Sequence, residues 1–254
     1  MFCKIKINNY TYLFFLICAL VGYLKNIIII FSICLFHELG HIFFIKLFKY
    51  NIDYIELLPF GGYTQVNKKI NSSINKDIII NLGGVFFQLI LLLFLFLFKH
   101  RFNIITYNLI YQYNLILMFF NLIPVIPLDG NNIIHLLFEK MFSYELSYKL
   151  NFFVSLISIL IFLFINYYFN IDNYFIFSFL IYKSLTYLKD YKYLKNRFLL
   201  ERYLYDLEYK KIENNTKNLN ELKKEVLHYF KENNKYIKEK NRIRNMLYSN
   251  SQNN

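Results

Sequence analysis

The chain has 254 residues, 56% of them hydrophobic, with 24 Tyr, 29 Phe, no Trp and a formal net charge of +12. So much apolar surface exceeds what a soluble domain of this length needs, which excludes an ordinary soluble fold and points to a membrane protein. The positive charge gathers beside apolar segments and in the tail, which suits an anionic membrane surface and carries no nucleic-acid motif.

Lys4 and Lys6 precede an apolar run that lacks a small-residue cleavage site, so a retained first helix is expected in place of a signal peptide. Six spans are predicted, near 10–24, 27–48, 78–98, 104–127, 150–169 and 174–188. Counting Lys and Arg on alternate sides places both termini in the cytoplasm. Between the second and third spans, "IDYIELLPFGGYTQVN" at 52–67 alternates apolar residues around Pro59, Gly61 and Gly62. That pattern predicts a hairpin at the membrane surface. Cys3, Cys18 and Cys34 lack C-x-x-C spacing and read as small buried hydrophobes.

After Gly130 there is neither glycine nor proline, so no compact, turn-rich domain is expected in residues 189–254. Leu219, Leu222, Val226 and Phe230 recur at helical spacing and predict one amphipathic helix with a frayed, Asn-rich end. Its apolar stripe is too narrow for a core of its own. The tail should therefore gain order from a membrane surface or a partner. The expected fold class is an all-α polytopic membrane protein with about six transmembrane helices. It includes a small membrane-surface β-hairpin and a helical or disordered C-terminal tail.

"CLFHELGHIFFIKLF" at 34–48 carries the chemistry. A carboxylate near mid-bilayer costs about 2.5–3.5 kcal/mol on insertion scales, so His37, Glu38 and His41 need a reason to be there. Residues four apart share a helix face, so His37 and His41 can aim two imidazole nitrogens at one ion. Glu38 can then act as general base on a water at that ion, the H-E-x-x-H arrangement. A catalytic zinc takes three protein ligands and keeps one open position. Asp129, in "FFNLIPVIPLDGNNI", ranks first as the third ligand, because Pro124 and Pro127 break the fourth span there. The second and fourth spans also run in the same direction, which brings Asp129 and the His pair to the cytoplasmic half. Asp53 and Glu56 are rivals in the surface hairpin, while His100, His135 and His228 read as interfacial or solvated. Asn114 and Asn121 lie on one face of the fourth span, lining a wet cavity or, for Asn114, making an interhelical hydrogen bond.

"HELGH" at 37–41 together with "NLIPVIPLDG" at 121–130 resembles the site-2 protease family of intramembrane zinc metalloproteases. "LLPFGG" at 57–62 and "RFLLERY" at 197–203 are similar to its sporulation branch. The resemblance implies that His37, His41 and Asp129 bind Zn2+ and that Glu38 activates water. It also implies that Asn121 lies beside the active site, and that Gly61 and Gly62 belong to a hairpin that holds an extended substrate. The implied substrate in that branch is a membrane-associated sigma-factor precursor. Two departures stand out. Where relatives carry A-G-P-x-x-N, this chain has "LGGVFF", with Gly84 in the proline place and Phe87 in the asparagine place. The tail is also short and glycine-free, so no intact CBS domain is expected.

Residues 1–203 are thus expected to form an intramembrane metalloprotease domain and 204–254 a cytoplasmic basic tail. The expected partners are a membrane-associated protein substrate, the lipid bilayer and a candidate membrane-embedded regulator, with no nucleic acid. The alternative is a metal-binding membrane transporter or a non-proteolytic scaffold. Transport would favour more intramembrane acids than Glu38 and Asp129, and a dead scaffold would more readily lose its general base.

Overall fold

The computed structural model describes residues 4–7, 11–12, 20–58, 61–165, 171–232 and 235–251. The chain falls into two units. One comprises residues 1–68 and 78–123, the other residues 69–77 and 124–254.

The first unit combines a small sheet with apolar helices. Strand β1 (Lys4–Ile7) pairs parallel to β2 (Asn51–Leu58), which pairs antiparallel to β3 (Gly61–Asn67). The two strands of the predicted hairpin are present and paired antiparallel, and residues 59–60 between them lie outside the described residues. The third strand was not foreseen; Lys4 to Ile7 alternate charged and apolar residues at the strand period of two. Helix α1 (Leu24–Leu47) ends where Lys49 takes a φ of 60°, with Tyr50 N–H donating to the Ile45 carbonyl at 3.0 Å. That six-to-one bond closes the helix and turns the chain into β2, with Lys49 in the place glycine usually takes. Helix α2 (Ile74–Leu97) supplies residues 78–97 to this unit, and α3 (Ile104–Leu122) completes it. Asn103 caps α3, its side chain accepting from Ile105 N–H at 2.9 Å.

The second unit holds α4 (Asp129–Met141), α5 (Tyr144–Ile165) and α6 (Ile171–Leu204). It continues with β4 (Lys211–Thr216), β5 (Val226–Glu232), β6 (Lys235–Lys238) and α7 (Glu239–Ser251). The order is β4-β5-β6, with β4 parallel and β6 antiparallel to β5. The expected helical or disordered tail is therefore corrected: residues 211–251 form a three-stranded sheet followed by a helix. The heptad-like spacing of Leu219, Leu222, Val226 and Phe230 arises from a single 3-10 turn (Leu219–Glu221) followed by a strand. Within that strand the true period is two, since His228 and Phe230 are both buried. The missing glycine misled because Glu225 takes the left-handed turn itself, at φ 60°. Its carboxylate is held by Lys210 Nζ at 2.8 Å and Ile74 N–H at 3.0 Å, which offsets the strain.

Nor does the tail lack a core. Leu222, Phe230 and Ile243 cluster with Tyr144, Phe198 and Leu199, and the Tyr144 and Phe198 rings stack at 4.2 Å. Arg202 is fully buried, donating to both Glu239 oxygens, at 3.0 and 2.7 Å, and to the Lys223 carbonyl at 3.0 Å.

Among the described residues three helices are long and apolar enough to cross a membrane: Leu24–Leu47, Ile74–Leu97 and Tyr144–Phe164. They fall at the expected second, third and fifth spans. Phe96 at 74% and Phe164 at 84% exposure show their apolar faces turned outward, as lipid-facing helices require. The fourth and sixth expected spans are helices, α3 and α6, but polar residues such as Asn108, Gln112, Lys183 and Asp190 keep them out of that set. The first expected span lies largely outside the described residues.

Candidate metal centre

Helix α1 places His37 and His41 one turn apart, both buried, at 5% and 9% exposure. Their Nε2 atoms converge to 3.0 Å. The remaining ring nitrogens are each engaged. His41 Nδ1 lies 2.7 Å from the Ile80 carbonyl oxygen, and His37 Nδ1 lies 3.0 Å from Gln88 Oε1. A carbonyl oxygen only accepts, so His41 carries its proton on Nδ1 and presents Nε2 as an acceptor. The amide oxygen facing His37 sets the same tautomer there. Two imidazole acceptors aimed at one point in a buried setting fit a bound cation, and imidazole is a donor that zinc favours.

Two glycines make this geometry possible. A Cβ on Gly40 would collide with the Gly83 carbonyl oxygen, so α1 and α2 cross in backbone contact. A Cβ on Gly84 would run into the His37 imidazole. Gly84 is thus the seat of the His37 ring. Asn114 resolves to the interhelical hydrogen bond: fully buried, its Nδ2 donates to the Gln88 backbone carbonyl at 3.1 Å.

Glu38 is half-buried, and the Thr64 hydroxyl of β3 donates to its Oε2 at 3.5 Å. Among the described residues β3 is an edge of its sheet, and Gly61 and Gly62 open it, paired with Leu58 and Leu57. Asn121 is half-buried in the last turn of α3. Asp53 and Glu56 lie on β2, with Asp53 exposed.

In the second unit Asp129 is the first residue of α4, following a cis Ile126–Pro127 bond. The approach to it is held by Ile126 N–H donating to the Ser155 hydroxyl at 3.0 Å. His228, read as solvated, is instead 1% exposed; its Nε2 accepts from Lys223 N–H at 2.9 Å and its Nδ1 meets Thr216 Oγ1 at 2.8 Å. His135 stands edge-on to the Tyr148 and Tyr187 rings, and His100 is exposed.

Gln88, Gly84 and the Ile80 carbonyl are the features that motif reading missed. Gln88 did leave a signal, as the one polar side chain in "LGGVFFQLILLLFLFL".

A His-Glu-x-x-His helix with both imidazoles tied at Nδ1 and converging at Nε2, set among apolar helices, defines a metal-dependent membrane hydrolase. The model of peptidase family M50 matches residues 25–105 and 100–165. The chain is 31% identical over 207 residues to stage IV sporulation protein FB of Bacillus subtilis, covering 79% of this chain and 71% of that protein. It is 33% identical over 128 residues to a zinc metalloprotease of Methanocaldococcus jannaschii, covering 48% of this chain and 37% of that protein. The fold is similar to the solved site-2 protease of Methanocaldococcus jannaschii, with TM-score 0.51 and 24% identity over 80% of this chain and 93% of that one. The chain belongs to peptidase family M50, the site-2 protease family, and is an intramembrane metalloprotease.

Proposed function

We propose that the ion is zinc, held by His37, His41 and Asp129, and that Glu38 is the general base in hydrolysis of a peptide bond in or near the membrane. The observation that carries this is the pair of Nε2 atoms 3.0 Å apart with both Nδ1 atoms engaged. Asp129 is proposed from its place in "NLIPVIPLDG" and from membership of the family. Zinc at that place supplies a Lewis acid that lowers the pKa of water towards ~7. Glu38 takes a proton from the attacking water and returns it to the departing amine nitrogen. The carboxylate is steadied by Thr64, so the base sits beside the edge strand β3.

An extended substrate segment adds to such an edge through main-chain hydrogen bonds, and an extended backbone exposes the carbonyl that a helix hides. Gly61 and Gly62 are proposed to line that path, with Asn121 beside the active site. We infer six spans, both termini in the cytoplasm, residues 1–203 as the proteolytic domain and residues 204–254 as a cytoplasmic region. The substrate is proposed to be a membrane-associated protein; the name of the Bacillus subtilis relative supports a role in sporulation, and a sigma-factor precursor is the substrate proposed for that role. A membrane-embedded regulator is a further proposed partner.

The test is co-expression with a membrane-associated sigma-factor precursor, comparing wild type with Glu38→Gln. Loss of a general base lowers the rate by a factor of about 10²–10⁴. Wild type should release the mature factor and Glu38→Gln should not. Equal processing by both would remove Glu38 from the mechanism.

A further inference from the structure

We propose that Gln88 is a positioning residue of the reaction. Its side-chain oxygen accepts the His37 Nδ1 proton and so holds the His37 Nε2 acceptor towards the metal. The inference rests on the reading of His37 as a zinc ligand. Gln88 is fully buried in α2, on a segment otherwise built of apolar side chains, and lies 51 residues from His37 in sequence. Among the described residues its Nε2 has no hydrogen-bond partner. A buried amide with an unmet donor is a poor choice for packing, since Leu or Met would fill the same space without that penalty. What Gln88 supplies that they lack is an acceptor 3.0 Å from His37 Nδ1.

The matching bond on His41 is made by the Ile80 backbone carbonyl, so that imidazole is fixed by the helix itself. His37 depends on a side chain. Asn114 of α3 donates to the Gln88 backbone carbonyl at 3.1 Å and fixes the turn of α2 from which the amide projects. Partners at the second nitrogen of a ligating histidine set its tautomer and ring orientation.

The test measures zinc affinity of the full-length protein in detergent, by competition with a chromophoric chelator, for wild type, Gln88→Met, Gln88→Glu and His37→Ala. The Met variant keeps the volume and loses the acceptor; the Glu variant keeps both. Zinc binding should weaken about 10–100-fold in Gln88→Met, with unfolding of the zinc-free protein unchanged, and stay within about threefold of wild type in Gln88→Glu. Wild-type affinity in Gln88→Met, or equal weakening in both, overturns the role. If Gln88→Met is recovered misfolded, Gln88→Glu decides alone: a merely structural amide would not tolerate a buried carboxylate, whereas a positioning acceptor keeps its zinc. Wild-type zinc affinity in His37→Ala would instead overturn the metal-site reading on which the inference stands.

Discussion

Gly84 shows how much one missing methyl group carries. The His37 ring occupies the volume that a Cβ would need, so Gly84→Ala must push the imidazole aside or force apart the helices that touch at Gly40 and Gly83. Zinc content of purified Gly84→Ala should fall at least tenfold, with activity following it. Full zinc occupancy would show that the His37 ring has room to move. The convergence of His37 and His41 was legible in the sequence because residues four apart share a helix face. The support beneath them was not. Gln88 and Ile80 meet the two imidazoles only once α2 is laid against α1, and no local pattern encodes that meeting.

Among the elements, the C-terminal sheet departs furthest from expectation. Its strands are short, its turn uses Glu225 where glycine is usual, and its apolar residues imitate a helical stripe. Long-range packing settles what the local signal left ambiguous. The Glu239 carboxylate accepts from Arg202 twice, from Tyr209 Oη at 2.7 Å and from His228 N–H at 3.1 Å. Glu239→Gln leaves the Arg202 guanidinium buried without its counter-charge, which should cost about 3–5 kcal/mol. A fall of that size in the urea unfolding curve of the detergent-solubilised protein is expected, and a change under about 1 kcal/mol would contradict the buried-pair account.

The same sheet carries a pH signature. Burial first, and then the Arg202 charge, hold His228 at about 4, below its ordinary 6.5. The neutral ring accepts Lys223 N–H at Nε2, and a proton there would abolish that bond. The unfolded chain therefore binds the extra proton first. Stability is full above pH ~6.5 and is lost as pH falls towards 4, with about 2 kcal/mol gone by pH 5. Unfolding curves at pH 7.5 and 5 should differ by that amount in wild type and much less in His228→Gln. Equal differences in the two proteins would assign the titration elsewhere.

For the molecule as a whole, the membrane class was legible from composition, since apolar residues on outward helix faces have no use in water. The number of crossings was harder to read. Polar residues on α3 and α6 have the same composition whether they line a protein interior or face solvent, and α3 already buries Asn114. The catalytic claim is tested most directly by counting zinc per chain in detergent-purified wild type, Glu38→Gln, His41→Ala and Asp129→Ala. One zinc per chain is expected in wild type and in Glu38→Gln, where the base is lost but the ligands remain. Far below one is expected in His41→Ala and Asp129→Ala. Stoichiometric zinc in either ligand variant, or its loss from Glu38→Gln, would contradict the assignment of two imidazoles and Asp129 to the metal and of Glu38 to the water.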